Sequence, residues 1–179
     1  VYGQGPVGLS ATLLGKAMGA RVIAIDVTPA RLALALALGA DETINAAETD
    51  PIAAVRDLTH GDGADVCVEV AGVAGVVQEG LEMLRVGGRY LWMGNIVPGA
   101  AATLIPHDAT RLPKLIQGVL TYERWAIPRA LDWLTRAQHR YPLHKLVSQT
   151  YPLERINDAF AQAEWLAGRG QVGRIAIAP

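Results

Sequence analysis

The 179-residue chain has one cysteine, almost no net charge and no long apolar run, and each of these shortages excludes a class of protein. The single cysteine, Cys67, rules out a disulfide framework and a cysteine-rich zinc site within these residues, and it fits a reducing, cytoplasmic setting. A net charge of -1 without a basic block leaves no electrostatic footprint for nucleic acid. No apolar run reaches the roughly 18 residues that predict a transmembrane helix, so we expect no membrane partner.

Apolar residues, by contrast, are abundant. Hydrophobic residues make up 51% of the chain and charged residues 18%, which is typical of a sheet with helices on both faces. Short β-branched runs alternate with segments of good helix formers, and this alternation predicts parallel strands joined by helical crossovers. We therefore expect an α/β fold with a doubly wound, parallel, six-stranded sheet, that is, a Rossmann fold.

The predicted elements follow one another in a regular β-α rhythm. Strands are expected at Tyr2 and at residues 21–26, 42–45, 64–70, 89–94 and 115–122, and helices at 9–18, 29–38, 50–58, 76–85 and 128–136. The alternation of Leu and Ala in residues 31–40 would also suit a half-buried strand. Leu and Ala are strong helix formers, however, and the Thr28-Pro29 start and the Gly39 stop favour a helix.

The end of the chain predicts a separate unit. Residues 146–151 and 172–178 are expected to be strands and residues 153–166 a helix, and this β-α-β piece has no place in a sheet of six strands. We therefore divide the chain into a Rossmann domain at residues 1–140, with a truncated first strand, and a segment at 141–179 that belongs to a second, largely absent domain.

A glycine loop opens the chain. Gly3, Gly5 and Gly8 form G-x-G-x-x-G between a strand end and a helix, and Asp26 closes the next strand 18 residues after Gly8. In such a loop the first glycine allows the tight turn, the second lets the backbone approach a pyrophosphate, and the third lets the helix pack closely. The free N–H groups of the helix then face the anion. The pattern predicts a dinucleotide site, although flavin or S-adenosylmethionine loops share this spacing.

The residues around the loop indicate which dinucleotide is bound. Pro6 has no N–H, so the hydrogen-bond donors are Val7 and its neighbours. Asp26 is expected to accept hydrogen bonds from the adenosine ribose and to repel a 2′-phosphate, which favours NAD over NADP. Arg31 could pair with Asp26 or lie over the adenosine. The alternative role for Asp26 is a capping or salt-bridge acid.

Six motifs occur in a distinctive order: GQGPVGL, KAMGARVIAID, LGADETIN, DVCVEVAG, LRVGGRYLWMGN and YPLERINDAFAQAEWLAGRGQVGRIAI. Together they resemble the cofactor-binding half of the medium-chain dehydrogenase/reductase superfamily, and within it the zinc-dependent alcohol, polyol and threonine dehydrogenases. The resemblance implies an NAD-dependent oxidoreductase whose catalytic zinc lies in an upstream domain, so that this chain is a fragment with no catalytic or metal-binding residue of its own. The alternatives are a zinc-free quinone or enoyl reductase and a non-catalytic dinucleotide-binding module.

The same resemblance assigns roles to individual residues. Gly3, Gly5, Pro6, Val7 and Gly8 correspond to the pyrophosphate loop, Asp26 and Arg31 to the ribose contacts, Ala71 and Gly72 to the adenosine wall, Met93 and Gly94 to the nicotinamide end, and Arg174 to a phosphate contact. Residues 141–179 correspond to the segment that returns to the catalytic domain. The edge strand near Ala101 to Ile105 corresponds to the one through which members form a homodimer, and the substrate is a small alcohol.

The remaining candidates predict no further site. His60, His107, His139 and His144 lack metal-ligand spacing and are expected to face solvent. Cys67 lies mid-strand and is expected to be a small buried side chain, not a nucleophile. Trp92 is bulky for a neighbour of a cofactor cleft, so we expect it to pack against the sheet instead.

Overall fold

A computed structural model describes residues 1–94, 99–103, 105–106, 113–168 and 174–179. The strands in these ranges are β1 (Ile23–Asp26), β2 (Glu42–Asn45), β3 (Ala64–Glu69), β4 (Leu84–Trp92), β5 (Leu115–Gly118), β6 (Val147–Pro152) and β7 (Arg174–Ala178). The α-helices are α1 (Pro6–Ala17), α2 (Pro29–Ala37), α3 (Pro51–Leu58), α4 (Gly75–Glu82), α5 (Ala126–Ala137) and α6 (Ile156–Gly168), and 3-10 turns cover Leu143–Leu146 and Leu153–Arg155.

The central position of the main sheet is held by Tyr2. Strand β1 pairs with β2, β3 with β4, and β4 with β5, and all three pairings are parallel. Tyr2 makes parallel bridges to Ile25 of β1 on one side and to Glu69 of β3 on the other. The order is therefore β2–β1–Tyr2–β3–β4–β5, in which the chain runs outward from the centre in both directions. The predicted parallel α/β fold is confirmed, but the first of the six predicted strands is present only as these bridges.

Helices cover the sheet on both faces. Neighbouring residues of β1 point to opposite faces of the sheet, and each face packs against different helices. Ala24 belongs to an apolar cluster with residues of α1 and α2, whereas Ile25 belongs to a cluster on the other face with Val55 of α3. A third cluster lies under α4 and contains Cys67 and Tyr90. This arrangement is the doubly wound layer structure that the sequence predicts.

Most boundaries agree with the sequence to within a few residues. Strand β2 has the predicted bounds, and the Leu-Ala segment is helical, since α2 spans Pro29–Ala37 and buries Leu32 and Ala35. Helix α3 begins at Pro51 after Asp50, whose side chain accepts a hydrogen bond from the N–H of Ile52 at 2.9 Å.

The start of β4 was predicted wrongly. We expected a helix to Arg85 and a strand from Arg89, but α4 ends at Glu82 and β4 begins at Leu84. The reason is an irregular register: Ala64 of β3 pairs with Leu84, whereas Val66 pairs with Arg89. Gly87, with φ of 75°, lies in the extra length of β4 and lets the strand bend there.

The last part of the chain forms a β-α-β unit. Strands β6 and β7 pair in parallel as a separate two-stranded sheet, with α6 between them in the chain, so the predicted order of elements is confirmed. Tyr141 and Leu146, which lead into this unit, pack against the cluster beneath α1 and α2. The domain boundary after residue 140 stays a prediction. Residues 101–103 and Ile105 are not in a hydrogen-bonded strand, and Leu104 lies outside the described residues.

Two glycines of α4 allow a matched test of the packing under this helix. A Cβ at Gly80 would lie 2.7 Å from Cε2 of the fully buried Tyr90 and 3.1 Å from the Cys67 sulfur, whereas a Cβ at Gly75 would meet nothing within 4 Å. We expect Gly80→Ala to lower the free energy of unfolding by about 1–2 kcal/mol despite its better helix propensity. Gly75→Ala should raise it by about 0.5 kcal/mol. Urea unfolding of the two variants checks this, and equal effects would contradict the described packing.

Candidate functional site

The packing of the folded chain requires glycine at two of the three glycine positions of the loop. Gly3 has φ of 95°, and a Cβ there would lie 2.8 Å from the backbone nitrogen of Ala71. A Cβ at Gly8 would lie 1.8 Å from the Gly3 carbonyl oxygen. Any side chain at either position would therefore push the loop, the start of α1 and the turn after β3 apart.

Gly5 is different. Its φ of -70° suits any residue, and a Cβ there would meet nothing within 4 Å. The space in front of Gly5 is open, and α1 begins at the next residue with Pro6. The first N–H groups of a helix have no partner within the helix, so Val7 and Gly8 present donors beside this space. The loop therefore leaves open space beside the first N–H groups of α1.

Asp26 lies directly at this loop. The residue is 5% exposed, and its carboxylate accepts hydrogen bonds from the N–H of Gln4 at 2.6 Å and from the N–H of Thr28 at 2.9 Å. The Nη1 atom of Arg31 lies 3.6 Å from the same carboxylate, as the sequence suggested. The Nε atom of Arg31 is buried and has no hydrogen-bond partner in the described part of the chain.

Gln4 and Thr12 form a polar pair inside this site that the sequence reasoning missed. Both side chains are fully buried, and the Thr12 hydroxyl donates to Oε1 of Gln4 at 2.9 Å. The Nε2 atom of Gln4 donates to the carbonyl of Val1 at 3.0 Å. The available signal was a hydroxyl in an otherwise apolar helix, eight positions after an amide in the loop.

A second acid, Glu69, organises the opposite wall and was also missed. Its side chain is fully buried, and Oε1 accepts a hydrogen bond from the N–H of Gly72 at 2.8 Å. Its carbonyl accepts from the N–H groups of Met93 and Gly94, each at 2.9 Å. A Cβ at Gly94 would lie 2.5 Å from Oε2 of Glu69. One residue therefore ties together the ends of β3 and β4, and its signal was an acid in the apolar run DVCVEV.

The predicted site residues thus fall into two groups. The loop, Asp26, Arg31, Ala71 and Gly72 lie together, because the Gly3 turn touches Ala71 and Gln4 touches Asp26. Met93 and Gly94 join them through Glu69. Arg174 is apart: it is exposed at the start of β7, and no hydrogen bond or ion pair of the described residues links its side chain to the loop.

The other predictions concern packing and metals. Trp92 packs edge-on against Tyr90, with ring centroids 6.3 Å apart, on the cluster under α4. Among the described residues no group of three or more His, Cys, Asp or Glu side chains is placed to hold a metal ion, and His107 lies outside them. No helix in the same ranges has both the length and the apolar character needed to cross a membrane.

The sequence profile of the zinc-binding dehydrogenases matches residues 6–136, which include the end of the glycine loop from Pro6, Asp26 and both walls of the site. The chain belongs to this family. L-threonine 3-dehydrogenase of Symbiobacterium thermophilum is 34% identical over 100% of the chain and 50% of its own length. For 5-exo-hydroxycamphor dehydrogenase of Pseudomonas putida the identity is 36%, over 89% of the chain and 45% of that protein.

Solved structures show the same similarity. Benzyl alcohol dehydrogenase from Acinetobacter calcoaceticus superimposes with a TM-score of 0.85 at 31% identity, over 99% of this chain and 48% of that one. An alcohol dehydrogenase from Thermus sp. ATN1 gives a TM-score of 0.86 at 29% identity, over 99% of this chain and 50% of that one. This zinc-binding dehydrogenase chain therefore spans about half the length of the relatives it matches. Its half is the cofactor-binding half of a zinc-dependent medium-chain dehydrogenase.

Cys67 of this dehydrogenase should be unreactive in the folded state. The residue is 7% exposed, and burial raises the pKa of its thiol to about 11. Because the folded pKa lies above that of an unfolded thiol, the native state keeps the proton at pH 8, and stability declines only as the pH rises from about 9 towards 11.

We expect iodoacetamide at pH 8 to modify Cys67 at least about tenfold faster in urea than under native conditions, because only the exposed thiolate is nucleophilic. Mass spectrometry of the peptide that contains Cys67 measures both rates. Equal rates with and without urea would show that the thiol is accessible in the folded protein.

Proposed function

We propose that the protein containing this chain is an NAD-dependent dehydrogenase of an alcohol or polyol, and that residues 1–140 bind the cofactor. The observation that carries the proposal is the open space at Gly5, a glycine that the fold does not require, beside the carboxylate of Asp26. Membership of the zinc-binding dehydrogenases supports the reaction type. Because the chain spans about half the length of its relatives, the zinc ligands and the alcohol pocket are assigned to the other half.

The pyrophosphate would bind at the beginning of α1. The N–H groups of Val7 and Gly8 are free to donate there, and the positive end of the helix dipole favours an anion. The missing Cβ of Gly5 leaves room for phosphate oxygens against the backbone. Pro6 fixes the first turn without using a donor, since proline has none.

The adenosine end would bind at Asp26 and Arg31. An ionised carboxylate offers about four acceptor sites, and two of those of Asp26 are taken by the N–H groups of Gln4 and Thr28. The remaining capacity suits the two ribose hydroxyls, and the negative charge disfavours a 2′-phosphate. The guanidinium of Arg31, whose side chain is 28% exposed, would shift from the carboxylate towards the adenosine, where its buried Nε gains a partner.

Ala71 and Gly72 would border the adenosine side of the cleft, and the nicotinamide end would lie along Met93 and Gly94. These residues come at the carboxyl ends of β3 and β4, next to the position where the sheet order reverses. When bound, the dinucleotide supplies the hydride chemistry. The contribution of this chain is to hold and orient the dinucleotide. Glu69 fixes the backbone of this wall of the cleft through its hydrogen bonds to the N–H groups of Gly72, Met93 and Gly94.

We further propose a cytoplasmic enzyme that forms a homodimer through the region near Ala101 to Ile105. Exposed apolar side chains support the dimer: Ile105 is 49% exposed, and both Leu115 and Ile116 of β5 are exposed. The assignment of Arg174 to a phosphate contact stays a prediction. No hydrogen bond or ion pair of the described residues joins its side chain to the loop.

Gly5→Ala tests the proposed function directly. The added methyl group should occupy the space of the pyrophosphate and weaken NAD binding at least about tenfold. The free energy of unfolding should fall by less than about 1 kcal/mol, since the methyl group meets no protein atom. Gly8→Ala, whose Cβ would lie 1.8 Å from the Gly3 oxygen, should instead lose both stability and binding.

Isothermal titration calorimetry with NAD, together with urea unfolding, distinguishes these outcomes. Titrations with NADP and S-adenosylmethionine on the unsubstituted protein are the ligand controls. Undiminished NAD binding by Gly5→Ala, or no NAD binding by the folded unsubstituted protein, would contradict the proposal.

Asp26→Asn should reduce the preference for NAD over NADP. Removal of the charge abolishes the repulsion of a 2′-phosphate and weakens the ribose hydrogen bonds, so we expect the ratio of the two dissociation constants to shift on the order of tenfold towards NADP. Asp41→Asn is the matched control, because it removes the same charge from an acid that pairs with Lys16 outside the site. An unchanged ratio for Asp26→Asn would mean that Asp26 does not face the ribose.

A further inference from the structure

We infer that Gln4 and Thr12 are positioning residues that set the preference for NAD by fixing the carboxylate of Asp26. The inference rests on the proposed function, because it concerns the adenosine end of the same cofactor site. It assigns a role to a pair of buried polar side chains that would not themselves touch the cofactor.

Gln4 is the only residue between Gly3 and Gly5, and its side chain is anchored at two points. Its Oε1 accepts from the Thr12 hydroxyl of α1 at 2.9 Å, and its Nε2 donates to the Val1 carbonyl at 3.0 Å. The flanking glycines have no side chain to anchor, and glycine torsions are the softest in a chain. The Gln4 side chain therefore adds two anchors to those that the backbone bonds of Gly3 and Gly5 already provide.

The backbone of Gln4 in turn positions Asp26. Its N–H donates to Oδ2 of Asp26 at 2.6 Å, while the N–H of Thr28 holds Oδ1 at 2.9 Å. These two bonds orient the plane of the carboxylate. If the Gln4 N–H moved away, Oδ2 would lose its short hydrogen bond and would turn towards the guanidinium of Arg31, now 3.6 Å away.

Reorientation of the Asp26 carboxylate would weaken the binding of NAD more than the binding of NADP. In the proposed site, NAD binding depends on both oxygens of Asp26 facing the ribose hydroxyls. NADP binding is weakened because the same carboxylate repels the 2′-phosphate. Loss of the anchor should therefore weaken NAD binding and relieve part of the opposition to NADP. A purely structural role for the pair would instead weaken both ligands to the same degree.

Substitutions that remove the hydrogen bonds but preserve size test this inference in the full-length protein. We expect Gln4→Met and Thr12→Val each to weaken NAD binding about five- to tenfold. The dissociation constant for NADP should change by less than about twofold, so the preference for NAD falls. The double variant should be no worse than Gln4→Met alone, because both substitutions break the same anchor.

Thr12→Ser is the rescue variant, since it keeps the hydroxyl, and it should retain the preference for NAD even if the missing methyl group lowers stability. Thr59→Val is the matched control: its hydroxyl bonds the Val55 carbonyl and the Gly63 N–H at the end of α3, away from the loop. It should lower stability without changing the preference.

Calorimetric titrations with NAD and NADP, with urea unfolding of each variant, separate the possible results. A fall in the NAD to NADP preference for Thr12→Val but not for Thr12→Ser or Thr59→Val supports the inference. Parallel weakening of both ligands, or no change, overturns it while the proposed function stands. Failure of the unsubstituted protein to bind either dinucleotide overturns the proposed function and this inference together.

Discussion

The backbone pairing of Tyr2 is the interaction on which the rest of the structure depends. Its N–H donates to the Val68 carbonyl and its own carbonyl accepts from the N–H of Val70, each at 2.9 Å. On the other side, the N–H of Gly3 donates to the Ile25 carbonyl at 2.8 Å. Without these bonds the sheet would divide into β2–β1 and β3–β4–β5. With them, the ends of β1 and β3 lie on either side of the Gly3 turn.

This juxtaposition explains why two buried acids flank the loop. Asp26 ends β1 and Glu69 ends β3, the two strands that Tyr2 bridges. Burial of a carboxylate is costly unless hydrogen bonds replace water. Backbone N–H groups bond both oxygens of Asp26 but only Oε1 of Glu69, whose Oε2 has no hydrogen-bond partner among the described residues. Glu69 ties two turns together, through its carboxylate to the N–H of Gly72 and through its backbone carbonyl to the N–H groups of Met93 and Gly94. Asp26 is held beside the loop by the N–H groups of Gln4 and Thr28, where the proposed function has it meet the ribose.

The features of the fold and the site that could be predicted are those determined by residues close together in the sequence. The bounds of β2, the helix at α2 and the position of Asp26 at the loop follow from apolar runs, Pro starts and glycine spacing within short windows. The early start of β4 could not be predicted, because it depends on the pairing of Leu84 with Ala64, twenty residues away. Gln4 and Glu69 were missed for the same reason, since their hydrogen-bond partners exist only in the folded chain.

The glycine loop separates the requirements of folding from those of binding. Gly3 and Gly8 are close to backbone atoms that cannot move without opening the sheet, so the fold alone accounts for them. Gly5 has no such neighbour, so packing does not account for its lack of a side chain, which is why the proposed function places the ligand there. Gly5, which has no packing neighbour, is the softest point of the loop. The Gln4 side chain, held by Thr12 and Val1, anchors the chain next to it without filling the space in front of Gly5.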